Sequence, residues 1–216
     1  MRILILILSV VLLSWCGAVN AMSIFVNKNT QMLYVFDELD NIVLESKVVI
    51  GRDSRPTPNF NDYISHIVVS PTWNVPKSLE RRDVLPKLRN NPALIDVLNY
   101  RILDTSGRIV TASFKQNGLK MQDGWRIQQA PGPNNSLGSV KFMVKGHLEH
   151  GPAIYLHDTN HPELFDRETR RYSSGCIRIE KARELASIMG VHVGKYRANE
   201  RWVKLPVPIR VTVVGN

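Results

Sequence analysis

Cys176 follows His157 by nineteen residues, inside the run Ser173-Ser174-Gly175-Cys176-Ile177-Arg178, and this pair could perform nucleophilic chemistry. A thiol attacks a carbonyl only as the thiolate, and a nearby imidazole can take its proton. Gly175 permits a tight backbone turn before the cysteine, exposing the sulfur and local N–H groups able to hold an oxyanion. The chain has two cysteines, and Cys16 falls in an apolar N-terminal stretch. If that stretch is removed, one thiol remains and no internal disulfide can form, which in an oxidising compartment favours a thiol that is used. Spacing alone leaves a second reading open: a buried cysteine and an unrelated surface histidine, because only adjacency in space makes a dyad.

The elements that must position these residues read as mostly β. Met32 to Phe36 and Ile42 to Ile50 form an expected hairpin around the turn formers of residues 37–41, within a β region that begins at Ser23. Pro56 and Pro58 mark a loop, and Tyr63 to Val69 predicts a further strand stopped by Pro71. Ser78 can cap a helix through Arg89, with Val84, Leu85 and Leu88 on one face. Asn91-Pro92 predicts the start of a short helix to Asn99. Residues 101–129 are mixed, and the whole of 76–130 is expected to be an insertion that forms a small helical cap or lid. Strands are expected again at Val140 to Val144, Ala153 to Leu156 and Arg210 to Val214, with His157 at a strand end. A helix from Ala182 to Met189 would end at Gly190. The fold class predicted is mainly β with a few helices.

Arg2, the aliphatic run from Ile3 to Leu13 and the small residues ending at Ala21 have the features of an export signal, 1–21, leaving 22–216 as one domain. The alternative is an uncleaved membrane anchor, since no charge follows until Lys28. A lipidation box at Leu13-Ser14-Trp15-Cys16 fits less well, because Trp15 stands where a small residue is usual. Hydrophobic residues make up 44% and charged residues 22%, which indicates a globular chain. The net charge of +9 becomes +8 if Arg2 leaves with the signal, and it favours anionic partners or simply a solvated basic surface. No basic run interleaved with aromatics suggests nucleic acid. Export, to the periplasm or cell envelope, also argues against it.

His157-Asp158-Thr159 followed by Ser173-Ser174-Gly175-Cys176-Ile177-Arg178 resembles the signature of the L,D-transpeptidases, the YkuD-type catalytic domain. Further blocks resemble the branch of that family with a capping subdomain: Gly51-Arg52, Arg55-Pro56-Thr57-Pro58, Pro71-Thr72-Trp73-Asn74-Val75-Pro76, Gly132-Pro133-Asn134-Asn135-Ser136-Leu137-Gly138 and Tyr155-Leu156. They occur in the family's order along nearly all of 22–216. The resemblance implies a β-sandwich-like fold with the cysteine in a groove under the 76–130 lid. It implies that Cys176 attacks the third residue of a peptidoglycan stem and expels the terminal D-alanine. His157 would partner the thiolate as an imidazolium, and the Tyr155 carbonyl would orient its ring. An amine on a neighbouring stem would then take the acyl group, water as acceptor would give a carboxypeptidase, and a wall-binding module without catalysis is the remaining rival. No metal or cofactor is implied, and a carbapenem would acylate Cys176. Many relatives have a histidine where this chain has Ser174, a departure that fits the capped branch.

Several other residues have two readings. Arg178, two positions past the thiol, would share its face in a strand and could pair with a substrate carboxylate, or lie on the surface. Ser173 either donates near the site or shapes the turn, and Tyr172 either lines the groove or packs. Asn135 sits in a loop that turn chemistry explains, with a groove-lining role implied by the resemblance. Trp73 is more readily a core or lid contact than a stacking surface. His66 alternates with apolar neighbours, as a satisfied strand histidine does. His147, His150 and His161 fit no standard ligand spacing. Arg167, Arg170 and Arg171 either attract carboxylates or form a solvated loop.

Overall fold

The computed structural model describes residues 21–146 and 154–216, so the expected signal before Ala21, Cys16, His147 and His150 lie outside the described residues. The strands are β1 Ser23–Asn27, β2 Met32–Phe36, β3 Ile42–Gly51, β4 Phe60–Val69, β5 Trp73–Asn74, β6 Tyr100–Leu103, β7 Arg126–Gln129, β8 Val140–Val144, β9 Leu156–His157, β10 Arg171–Ser173, β11 Ile177–Ile179 and β12 Arg201–Val214. The helices are α1 Lys77–Leu79, α2 Leu85–Asn90, α3 Leu94–Val97, α4 Thr111–Gln116 and α5 Ala182–Ile188. A π-helical segment, Glu80–Val84, joins α1 to α2. The fold is thus mainly β with a few helices. No helix among the described residues is long and apolar enough to cross a membrane.

The main sheet runs β10-β3-β11-β9-β8-β4-β12-β1-β2, and β2 also pairs with β3. The ladders therefore close on themselves, which leaves few open strand edges. Alternation decides what lies inside. β1 and β2 bury every second residue, sending Ile24, Val26, Leu33 and Val35 inward. Val48, Ile50, Ile67, Val69, Phe142, Leu156, Ile177 and Ile179 join them, and α5 adds Leu185 and Ala186.

The opposite face carries a continuous row. Successive registers pair Trp202 with Val68, Val68 with Lys141, Lys141 with His157, His157 with Arg178, and Arg178 with Val49. Residues paired across a ladder point the same way, so this row is the surface on which the site is built.

A second hydrophobic cluster is formed by Val75, Val84, Leu85, Leu88, Ile95, Tyr100, Ile102, Phe114, Leu119, Trp125 and Ile127 around the small sheet β5-β7-β6. The helix expected from Ser78 to Arg89 begins at Lys77, with Pro76 rather than Ser78 at its cap. Its π segment turns Glu80 inward, where the carboxylate accepts from Ile127 N–H at 3.2 Å and pairs with Lys77 at 3.0 Å. The expected helix to Asn99 keeps only Leu94–Val97, because Asn99 takes a φ of 52°.

Strand boundaries also differ from expectation, and β4 begins at Phe60 instead of Tyr63. β12 begins at Arg201, nine residues before the predicted start, because its ladder to β4 resumes on both sides of a register shift between Lys204 and Ile209. Pro206 and Pro208 lie in that gap, where no N–H is asked of them. Of the strand expected at Ala153 to Leu156, β9 keeps Leu156 and adds His157, which lies at the strand end as expected.

Candidate active site

β9 and β11 run parallel, with Leu156 opposite Ile177 and His157 opposite Arg178. One step earlier, Ile177 N–H donates to the Tyr155 carbonyl at 3.2 Å. Period-two geometry then places Tyr155, His157, Cys176 and Arg178 on the outer face together. All four line one cavity of about 420 Å³, with Ser173, Ser174 and Tyr172 on the same side. Pro76, Ser78, Leu79, Arg82, Asp83 and Val84, from the segment that carries the second cluster, form another part of the wall.

The turn before the thiol is held from both sides. Gly175 has a φ of 115°, and a Cβ there would come within 2.9 Å of Ile154. Its carbonyl accepts from Thr57 Oγ at 2.8 Å, while Thr57 Oγ accepts from Gly51 N–H at 2.9 Å. Gly51 itself has no room for a side chain, since a Cβ would meet backbone atoms of Arg55, Pro56 and Thr57 within 2.8 Å. Ser173 Oγ donates to the Cys176 carbonyl at 2.6 Å and accepts from Gly175 N–H at 3.1 Å. Ser173 is therefore a staple of the turn, and the Gly175 N–H is committed to it rather than to an oxyanion.

His157 is 4% exposed. Its Nδ1 donates to the Asp158 carbonyl at 2.5 Å. The Tyr155 carbonyl expected to orient it is taken by Ile177, and the Tyr155 ring instead meets the imidazole edge-on at 5.8 Å. Burial, followed by the Arg178 charge, pushes the imidazole pKa down to about 3, against backbone acceptors at Asp158 and Leu137 that favour protonation. Burial also pushes the Cys176 thiol up, opposed by a Tyr155 backbone hydrogen bond and by Arg178 and Lys141. Both shifts favour the uncharged thiol and imidazole. With Nδ1 bonded to a carbonyl, Nε2 carries the lone pair that can accept a proton.

The remaining predicted residues separate clearly. Arg178 faces the cavity, and its buried Nε has no hydrogen-bond partner among the described residues. Ser174 Oγ accepts from Arg55 Nη1 at 2.8 Å, and Tyr172 stands at the rim, 42% exposed. Asn135 does not line the cavity. It is 1% exposed, donates to the carbonyls of Pro71, Gln129 and Ala130, and accepts from Leu137 N–H. It ties backbone segments together, and its amide donors are committed to backbone carbonyls. Arg170 is likewise spent on backbone carbonyls of Val48, Arg167, Thr30 and Gln31, and Arg171 reaches Asp53. His161 pairs with Glu163 at 3.0 Å, and His66 accepts or donates at Ser65 Oγ.

Sequence reasoning missed Thr57, Arg52, Arg55, Arg82 and Lys141. The first three sit in a proline-flanked segment whose blocks resembled the family without giving any residue a role, and a buried threonine staple has no periodic signature. Arg52, Arg55, Arg82 and Arg178 make the cavity strongly cationic, with Asp83 between Arg82 at 2.8 Å and Arg55 at 3.8 Å. A lysine inside an apolar strand, as in Val140–Val144, was the available signal for Lys141.

Comparison with known proteins matches residues 21–209 to the L,D-transpeptidase catalytic domain, YkuD. A Haemophilus influenzae protein named "Putative L,D-transpeptidase" is 41% identical over 167 residues, which is 77% of this chain and 33% of that protein. The chain therefore spans about a third of the length of that relative. The catalytic domain of an Enterococcus faecium L,D-transpeptidase aligns with 92% of this chain and 100% of its own, at 14% identity and a TM-score of 0.39. L,D-transpeptidase 3 from Mycobacterium tuberculosis, in complex with a faropenem-derived adduct, aligns with 89% of this chain and 60% of its own, at 10% identity and a TM-score of 0.42. With the catalytic-domain match spanning nearly all described residues and a relative of this identity, the chain belongs to the L,D-transpeptidase (YkuD) catalytic-domain family.

Proposed function

We propose that this chain is an exported cysteine acyltransferase that remodels peptidoglycan, with Cys176 as nucleophile and His157 as its base. The observation that carries the reading is the single cavity that brings Cys176, His157 and Arg178 together, with a buried Arg178 Nε left for a ligand. Four arginines on its wall suit a stem peptide rich in carboxylates. Residues 76–130 act as its lid, a reading supported by the six residues between Pro76 and Val84 that close the cavity.

The chemistry follows from neutral partners. As Sγ attacks the carbonyl carbon of the third stem residue, the thiol proton passes to His157 Nε2. The imidazolium so formed is stabilised by the Asp158 and Leu137 backbone. It returns the proton to the departing D-alanine nitrogen as the C–N bond breaks, leaving a thioester. An amine of a second stem attacks the thioester, its proton returns through His157, and the C–S bond breaks to regenerate the thiol. A carbapenem carbonyl is an activated acyl donor to the same sulfur and should leave a stable adduct there.

The test is the protein without residues 1–21, incubated with tetrapeptide muropeptides beside Cys176→Ala and read by liquid chromatography–mass spectrometry. A cross-linked dimer with loss of D-alanine, absent in the variant, is expected. Tripeptide monomer would make water the acceptor. Untouched substrate, or turnover retained in Cys176→Ala, would overturn the assignment.

A further inference from the structure

We infer that Lys141 is a positioning residue of this site, a buried ammonium that holds His157 neutral and favours negative charge on Cys176. The inference rests on the proposed role of Cys176 as nucleophile.

Lys141 is 9% exposed in a strand whose five residues are all buried. A buried charge is costly unless it is paired. Yet no ion pair to Lys141 occurs among the described residues. Its ammonium lies instead over two aromatic rings, 5.1 Å from the Tyr155 centroid and 5.7 Å from that of Trp202. Such contacts offset part of the desolvation without cancelling the charge.

Among the described residues, the ionisable groups around it are these. β9 offers His157 directly opposite, β11 offers Arg178 beyond it, and Cys176 lies just ahead of β11. β4 presents Val68 opposite Lys141, while its His66 meets the Trp202 ring at 6.0 Å. Ahead of β12, Glu200 acts on Lys141 electrostatically, but its oxygens accept from Thr72 N–H at 2.8 Å and Trp202 Nε1 at 2.9 Å. Besides Glu200, the negative charge on the described residues that acts on Lys141 is the one that appears at Cys176 when its proton leaves.

The register explains the rest. His157 sits between Lys141 and Arg178, each one strand away, at about 4.8 Å between strands. Two flanking cations oppose a proton on the imidazole and attract a thiolate. The same pair of charges thus keeps the base able to accept and lowers the cost of the charge it creates. Lys141 need not touch substrate to do this.

The experiment compares Lys141→Met, close in shape and uncharged, with Lys141→Arg in the full chain. Iodoacetamide alkylation is followed from acid to alkaline pH at the peptide carrying Cys176. Lys141→Met should move the midpoint up by about one unit and slow alkylation roughly tenfold below it, while Lys141→Arg stays near the parent. A Lys141→Met profile that superimposes on the parent overturns the inference. If Lys141→Met shows no cooperative melt, Trp202→Leu takes its place. Trp202 is half-exposed, so its loss admits water to the ammonium and should shift the midpoint the same way by less. An unmoved midpoint in Trp202→Leu would then overturn it. Acyl transfer by the parent is measured separately: a shifted profile without transfer sinks only the proposed function, and transfer with an unshifted profile sinks only the role of Lys141.

Discussion

The closed main sheet and the smaller cluster between Trp73 and Gln129 are built on different terms. In the main sheet the ladders meet end to end, and strands such as β3, β4 and β12 run ten residues or more. The smaller unit has strands of four residues or fewer and helices of six or fewer, so its order depends on packing around Phe114, Ile95 and Ile127. The cavity lies between the two. Its chemistry sits on the rigid side, on β9 and β11, whereas the wall opposite comes from the side with shorter elements. The difference teaches that the nucleophile and base can be fixed in place while the wall that faces a ligand remains the easier part to open.

The largest test of this contrast uses one fully buried phenylalanine from each core. Phe142→Ala and Phe114→Ala should each cost about 3–5 kcal/mol. In Phe142→Ala the whole protein should lose protection in hydrogen exchange, and Cys176 should lose its defined reactivity. In Phe114→Ala, exchange should quicken in residues 73–129 while β4, β8 and β12 stay protected and the thiol still alkylates at the parent rate. Equal loss of protection in both variants would mean that the two cores form one cooperative unit.

Proton linkage should act on the main sheet through His157. His157 has a folded pKa near 3 against an ordinary 6.5, so in between the unfolded chain binds a proton that the folded chain refuses. Stability from this group is complete above about pH 6.5 and is lost as the pH falls toward 3, by roughly 3 kcal/mol between pH 7 and pH 4. Urea melts at both pH values should show this loss in the parent and a smaller one in His157→Gln. The same drop in both would mean that the imidazole is not held neutral.

How much of this was legible in the sequence follows from where periodicity and spacing act. The hairpin of β2 and β3 and the apolar run of β8 announce themselves, and the blocks around His157 and Cys176 pointed to the family. Strands of two or three residues, such as β9 and β11, cannot show a period, so sequence did not reveal that His157 sits in the ladder opposite both Arg178 and Lys141. Polar staples were equally hidden. The resemblance implied a groove-lining role for Asn135, yet its side-chain hydrogen bonds are spent on backbone that includes Pro71, sixty-four residues away. Arg55 and Thr57 reach the cysteine turn across more than a hundred residues of chain.

Asn135 stands where the two regions join, holding the carbonyls of Pro71, Gln129 and Ala130. Asn135→Ala leaves several buried groups without partners, each worth about 1–3 kcal/mol before the loop relaxes toward water. Relaxation should bring the net loss near the lower part of that range, read as a denaturant midpoint shift at constant slope. The informative comparison is again hydrogen exchange, where Asn135→Ala should loosen residues 73–129 more than the main sheet. Uniform loosening would place the residue in the main core instead of at the junction.

The smallest effect belongs to Arg55, which donates to Ser174 beside the thiol and approaches Asp83 on the far wall at 3.8 Å. The pair is partly open to water, and Arg82 already holds Asp83 at 2.8 Å, so breaking it should leave the melting temperature near that of the parent. Its consequence should be felt in turnover. Arg55→Gln can still donate to Ser174 but removes a charge from the cavity and the link to Asp83, so KM for an anionic stem peptide should rise several-fold with kcat little changed. Asp83→Asn separates the two contributions, because it breaks the link while leaving Arg55 in the cavity. A rise in KM in Arg55→Gln alone assigns the effect to charge in the site. An equal rise in both assigns it to the link between the regions, and would make the wall that carries Asp83 a part of substrate binding.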